Sequence, residues 1–219
     1  MKKGKLIVLY GINNIGKSTQ AKILVENLRN NGYETVFIKY PVYELEPTGV
    51  FLNNALRNDH QKQHISEEEL QMWFALNRFQ YEPQLKEWLD EGRVVVAEDY
   101  TGSGLAWGSA KGASLDWLES INKYLMKEDL AIFLKGRRNM HAKEEKHLHE
   151  SNDDLVEATQ FIMENLADKI FGKIPAKVDA QQILKLLQSG IMEKTSGKKY
   201  FSSIKQYSEV NDKEISTWL

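Results

Sequence analysis

The sequence predicts an α/β fold, a three-layer sandwich in which a five-stranded parallel sheet is flanked by helices. Three observations predict it. Five apolar runs rich in Val, Ile and Leu are continuous, as in strands covered on both faces, where a half-exposed strand would alternate. Segments with helical spacing separate these runs, and strand–helix alternation favours a doubly wound parallel sheet. The first run also ends in a glycine-containing turn that leads directly into an amphipathic segment.

The expected strands are Lys5–Tyr10, Glu34–Lys39, Arg93–Glu98, Leu130–Lys135 and the weaker Ala176–Val178. The expected helices are Lys17 to about Asn30, Ser66–Asp90, Ser114–Met126, Asp154–Ala167 and Gln181–Gln188. Ser66 followed three residues later by Glu69 is a capping-box signature. Gly32, Gly92 and Gly190 stand where helix C-termini favour a left-handed residue. With four prolines and no low-complexity tract, nothing marks a linker, so residues 1–190 read as one domain. Residues 191–219 are polar with isolated aromatics (Tyr200, Phe201, Tyr207, Trp218) and read as a C-terminal extension packed on the surface or partly disordered.

Composition bounds the partners. The chain has 219 residues, 42% of them hydrophobic and 27% charged, enough for a substantial core. Its 29 Lys and Arg balance 31 Asp and Glu, a net charge of -2, which leaves no broad positive field for a nucleic acid polymer. The absence of cysteine excludes a disulfide framework, a thiolate metal site and a Cys nucleophile, and agrees with a reducing, cytoplasmic setting. Leu6 to Tyr10 is too short an apolar run for a signal peptide core or a membrane span.

The turn after the first strand carries the chemistry. Gly11-Ile12-Asn13-Asn14-Ile15-Gly16-Lys17-Ser18 matches G-x-x-x-x-G-K-[ST] without a gap, between an apolar strand and a helix. In such a loop the backbone N–H groups point at phosphate oxygens, and the helix dipole adds positive potential. Gly11, Asn13, Asn14, Ile15, Gly16, Lys17, Ser18 and Thr19 are therefore the expected ATP-binding residues, with Lys17 reaching the β and γ phosphates and Ser18 holding Mg²⁺. The loop makes the fold that of a P-loop NTPase. A second acidic element should organise the metal at the end of another strand. Val94-Val95-Val96-Ala97-Glu98-Asp99 supplies two carboxylates there, and Glu98 is the expected metal partner of Ser18.

With these residues in order, the sequence resembles the thymidylate kinase family of nucleoside monophosphate kinases over roughly residues 5 to 190. Tyr40-Pro41 resembles the family's Phe-Pro element, and Phe74-Ala75-Leu76-Asn77-Arg78 its F-x-x-N-R helix. Glu98-Asp99-Tyr100, followed by Ser103, Gly104 and Trp107, resembles its D-R-Y segment, and Val178-Asp179-Ala180 its last strand and adenine loop. Phe74 and Arg78 lie four apart and share a helix face, so a ring and a guanidinium can converge on one ligand. The resemblance implies that they hold the base of the acceptor, with Asp99, Tyr100 and Trp107 also on the acceptor side. It implies a lid at about 136–154, whose Arg137 and Arg138 would stabilise the transferring phosphoryl group. It also implies a homodimer, ATP as donor, and transfer to a pyrimidine deoxynucleoside monophosphate such as dTMP.

The pattern departs from the family at the acceptor's phosphate. Asn13 replaces the usual Asp, Asn14 an Arg of one branch, and the run Val42-Tyr43-Glu44-Leu45-Glu46 after Tyr40-Pro41 contains no arginine. Asp99 stands where the D-R-Y segment has its Arg. Three readings remain open: a monophosphate kinase with rearranged cations, a nucleoside kinase in which Glu44, Glu46 or Asp99 takes a proton from a free hydroxyl, or a nucleotide-binding protein without transfer activity.

Overall fold

The structure, a computed structural model, describes residues 3–57, 65–134, 152–171 and 199–202. Its sheet has the strand order β2-β3-β1-β4-β5. These strands are β1 Lys5–Tyr10, β2 Thr35–Lys39, β3 Val94–Glu98, β4 Leu130–Phe133 and β5 Lys199–Ser202. Every pairing is parallel: Ile7 on β1 stands opposite Val96 on one side and Leu130 on the other, and Phe37 on β2 opposite Val96. Leu6, Ile7, Val8, Val95 and Val96 have no exposed surface, as expected of strands covered on both faces. Burying a side chain of that kind stabilises the fold by roughly 1.5–3 kcal/mol.

Four of the five expected strands stand where the apolar runs put them, and the fifth place is filled differently. β5 pairs with β4 from Leu130 opposite Lys199 to Phe133 opposite Ser202. Part of the expected surface extension thus closes the β4 edge of the sheet. Lys-Tyr-Phe-Ser is too short to show a period, but its adjacent aromatics suit a strand. The expected strand Ala176–Val178, the helix Gln181–Gln188 and Lys135 lie outside the described residues.

The helices are α1 Lys17–Asn30, α2 Thr48–Arg57, α3 Glu67–Asp90, α4 Thr101–Ala110, α5 Leu115–Asn122 and α6 Asp153–Phe171. On α1 the buried residues Ala21, Leu24, Val25 and Leu28 recur at helical spacing and pack toward the sheet. Ser66 caps α3, its hydroxyl accepting from the Glu69 amide at 3.1 Å, with Glu67, Glu68 and Glu69 in the first turn where the dipole favours anions. α5 stops at Asn122, four residues before the expected end.

Helices α2 and α4 are additions that local propensity does not predict. α4 reads Thr-Gly-Ser-Gly-Leu-Ala-Trp-Gly-Ser-Ala, a composition unfavourable to an isolated helix. Its glycines buy close approach: a Cβ on Gly104 would meet Arg78 Nη2 at 3.1 Å, and one on Gly108 would meet Leu118 at 2.8 Å. At the start of α2, a Cβ on Gly49 would lie 2.1 Å from the Val42 carbonyl oxygen, so only glycine lets this helix pack against the turn after β2.

Candidate nucleotide site

The loop between β1 and α1 is held by its backbone and by two buried apolar anchors, Ile12 and Ile15. Gly16 caps α1 in the left-handed region at φ 95°, and Asn14 is left-handed at φ 63°, a conformation Asn tolerates better than most residues. Ile15 is buried in the core and pins the loop, while Thr19 is exposed on the first turn of α1. Lys17 is only 4% exposed. Its ammonium donates to the carbonyls of Gly11 at 2.8 Å and Ile12 at 3.0 Å and lies 3.5 Å from Asp99 Oδ2. The Ser18 hydroxyl donates to Glu98 Oε2 at 2.6 Å. The two residues expected to share a metal are therefore in direct contact.

The end of β3 sends its two carboxylates in different directions. Glu98 is buried and bridges Ser18 to Lys39, whose ammonium lies 3.0 Å from Glu98 Oε1. Asp99 follows at φ 61°, a left-handed turn that aims its carboxylate at Lys17, with the Ser103 hydroxyl donating to Oδ1 at 2.5 Å. Burial raises the Asp99 pKa; Lys17 opposes the shift and Glu98 adds to it. Burial by itself would lower the Lys39 pKa, but Glu98, with Asp99 and Tyr43, outweighs it and leaves Lys39 raised.

On the side expected to take the acceptor, α3 carries Phe74, Asn77 and Arg78. Phe74 is half-buried. Arg78 is buried, its Nη2 donating to Asn122 Oδ1 at 2.9 Å and its Nη1 to the Tyr100 carbonyl at 3.5 Å. Burial lowers its pKa to about 10, against the opposing pull of Tyr100, Tyr10 and Tyr40. Arg78 Nε and the hydroxyls of Tyr40 and Tyr100 have no hydrogen-bond partner among the described residues. The Tyr40 and Tyr100 rings stand 5.1 Å apart, so unmet polar capacity is gathered around the buried guanidinium. Tyr100 and Trp107 belong to the core, at 1% and 6% exposure. Tyr100 reaches Arg78 through its backbone carbonyl.

Two asparagines that motif reading left without a role organise this side. Asn77, wholly buried, accepts from the Val42 amide at 2.8 Å and donates to the Val42 carbonyl at 2.9 Å and Thr48 Oγ1 at 3.0 Å. It locks the turn after β2 to α2 and α3. Asn122 orients Arg78 and donates to the Leu118 carbonyl at 2.8 Å. Asn77 was visible in the F-x-x-N-R run, whereas Asn122 had no signal because its partner lies 44 positions away. Arg137, Arg138, most of the expected lid and Val178-Asp179-Ala180 lie outside the described residues.

A parallel sheet in this order, with a G-x-x-x-x-G-K-S loop between β1 and α1 and a carboxylate from neighbouring β3 touching its serine, defines a P-loop nucleotide-binding fold. A solved thymidylate kinase from Candida albicans superposes with a TM-score of 0.67 over 88% of this chain and 93% of that one, at 24% identity, which supports the fold. The family model described as thymidylate kinase matches residues 9–190, and the chain belongs to the thymidylate kinase family. It is 35% identical to the thymidylate kinase of Homo sapiens over 61% of each chain. It is 32% identical to a Thermococcus kodakarensis protein described as a probable thymidylate kinase, over 73% of this chain and 80% of that one. The chain spans only about three fifths of the human relative and of another from Invertebrate iridescent virus 6, 61% and 63% of their lengths.

Proposed function

We propose that this protein transfers the γ-phosphoryl group of ATP to a pyrimidine (deoxy)nucleoside monophosphate, with dTMP the acceptor that best fits its family. The observation that carries the reading is the contact between Ser18 and Glu98 at 2.6 Å beside a buried Lys17. Lys17 binds the donor phosphates, while Gly11, Asn13, Asn14, Ile15, Gly16 and Thr19 shape or flank their cradle. Phe74 and Arg78 bind the acceptor's base. In-line phosphoryl transfer needs little covalent chemistry from the protein, so positioning and charge supply most of the acceleration.

The residues present fit Mg²⁺. Among the described residues no group of three or more His, Asp or Glu is arranged to hold a metal ion, but Mg²⁺ keeps several waters and needs only one or two protein oxygens beside the substrate phosphates. The Ser18 hydroxyl and Glu98 carboxylate are such hard oxygen donors. When bound, Mg²⁺ neutralises charge on the β and γ phosphates. By family likeness the reading extends to a kinase domain over 1–190, a lid at about 136–154 bringing Arg137 and Arg138 to the transferring group, residues 191–219 as an extension of that domain, a homodimer and a cytoplasmic location. Among the described residues no helix is long and apolar enough to cross a membrane.

Asp99 favours a second reading, phosphorylation of a free nucleoside hydroxyl. A carboxylate with a raised pKa beside Lys17 suits a general base. It also repels an acceptor phosphate by roughly 1 to 4 kcal/mol per close charge pair at surface to intermediate dielectric. ATP consumption with thymidine, deoxyuridine, deoxycytidine and their monophosphates separates the readings. Turnover of monophosphates supports the first and turnover of nucleosides alone the second; tight ATP binding with neither leaves a nucleotide-binding protein without transfer. Lys17→Ala should abolish any turnover, and full activity in that variant would remove the phosphate-loop assignment.

A further inference from the structure

The buried guanidinium of Arg78 is a charge without a counter-ion. Among the described residues it makes no ion pair. Its two hydrogen bonds go to neutral oxygens, from Nη2 to Asn122 Oδ1 at 2.9 Å and from Nη1 to the Tyr100 carbonyl at 3.5 Å, and Nε finds no acceptor among those residues. Buried charges are ordinarily paired. A guanidinium offers donors only, so the group this one is kept for is a hydrogen-bond acceptor.

The hold on Arg78 comes from two other helices. Asn122, buried at the end of α5, stands 44 positions from Arg78 in the chain. Its Nδ2 donates to the Leu118 carbonyl one turn back at 2.8 Å, which turns Oδ1 toward the guanidinium. The segment after α5 is tied to the same face of α3, where Glu82, four residues beyond Arg78, accepts from the Met126 amide at 2.5 Å. On the α4 side the backbone closes in: a Cβ on Gly104 would lie 3.1 Å from Arg78 Nη2 and 3.5 Å from Nη1. The tip of Arg78 is thus gripped by α5 and backed by α4. That fixes the plane of the guanidinium and leaves Nε and the remaining N–H groups for a ligand.

We propose that Asn122 is a positioning residue for recognition of the acceptor's base. By holding Nη2 it sets the plane in which Arg78 meets an oxo group of the pyrimidine. An amino group at that place, as in cytosine, would set donor against donor, so the same hold favours thymine. This inference rests on the reading of Arg78 as a base-binding residue, and its test separates the two.

Binding of dTMP, dCMP and ATP, each alone, is measured by calorimetry in the wild type, Asn122→Leu, Asn122→Gln, Asn122→Asp, Arg78→Lys and the double variant of Asn122→Leu with Arg78→Lys. Asn122→Leu should weaken dTMP about tenfold, with dCMP and ATP changed less than about twofold. Asn122→Asp keeps an acceptor for Nη2 and should recover most of the dTMP affinity. Asn122→Gln carries its amide one methylene too far and should weaken dTMP as the leucine does, so the test stands if Asn122→Leu does not fold; melting temperatures check each variant. In the Arg78→Lys background, Asn122→Leu should weaken dTMP by less than about a further twofold, because a residue that acts through Arg78 has nothing left to position. Unchanged dTMP affinity in folded Asn122 variants, no recovery in Asn122→Asp, an equal loss for dTMP and dCMP, or additive losses in the double variant would overturn the proposal. If Arg78→Lys weakens dTMP and Asn122→Leu does not, the proposal falls alone. If Arg78→Lys leaves dTMP binding intact, Arg78 does not hold the base, and both readings fall.

Discussion

Removing the Asn77 amide should release the turn after β2 from the body of the protein. In Asn77→Ala three hydrogen bonds of 2.8, 2.9 and 3.0 Å disappear. Thr48 Oγ1 keeps a partner in Gln80 at 2.8 Å, so the damage falls mainly on the amide and carbonyl of Val42. At about 1 kcal/mol net for each bond, and more for a backbone group left dry, the expected loss is about 3 kcal/mol. For a chain of this size that lowers the melting temperature by about 6–12 °C. Asn77→Asp should do no better near neutral pH, because it keeps the acceptor for the Val42 amide but sets a carboxylate against the Val42 carbonyl. Thermal and urea unfolding give the stability, and steady-state kinetics should show a raised KM for the acceptor with little change for ATP. A loss below about 1 kcal/mol, or equal effects on the two substrates, would refute the view that Asn77 holds the acceptor side through this turn.

Three further outcomes are expected. Gly49→Ala would drive a methyl group to 2.1 Å from the Val42 oxygen and 2.5 Å from the Tyr43 oxygen; it should cost about 3 kcal/mol in urea unfolding, and a neutral effect would contradict the close packing of α2. Burial raises the pKa values of Tyr10, Tyr40 and Tyr100 above their ordinary value, so the native state keeps protons that the unfolded chain releases above about pH 10. Their stabilisation is complete below that pH and declines as pH rises, by about 4 kcal/mol per pH unit for three retained protons. Tyrosinate absorbance should show them ionising with unfolding, and their ionisation in the folded protein would contradict this. Asp99→Asn removes the carboxylate that competes for Lys17, so ATP should bind about tenfold more tightly by calorimetry, a factor of the size expected for one charge contact; weaker binding would mean that Asp99 assists the donor site.

The features legible in the sequence were those written in local runs. The G-x-x-x-x-G-K-S loop, the apolar strands and the Ser66 cap each place their determinants within a few residues, and the contact of Ser18 with Glu98 follows once β1 and β3 lie side by side. What escaped depends on partners distant in the chain. α4 is helical despite its glycines because Arg78 and Leu118 fill the space their missing side chains leave. Asn122 orients Arg78, 44 positions away in the chain, and Arg57 lies against the Tyr43 ring of a different element. β5 exists because β4 offers an edge, and its four residues are too few to announce a strand by pattern.

The divergence of Glu98 and Asp99 links these observations electrostatically. Side chains alternate along a strand, but Asp99 leaves the strand through a left-handed turn at φ 61° and so reaches the same region as Glu98 from another direction. Glu98 is balanced by Lys39 and Ser18, and Asp99 by Lys17 and Ser103. Each carboxylate thus has one cation and one hydroxyl. An incoming phosphate that engages Lys17 disturbs the second set, and one that engages Lys39 disturbs the first. A phosphate bound on the Lys17 side would therefore meet a different carboxylate from one bound on the Lys39 side. Glu98 and Asp99 are consecutive at the end of β3, so the two sets of contacts meet at a single peptide bond, where the left-handed turn at Asp99 separates them.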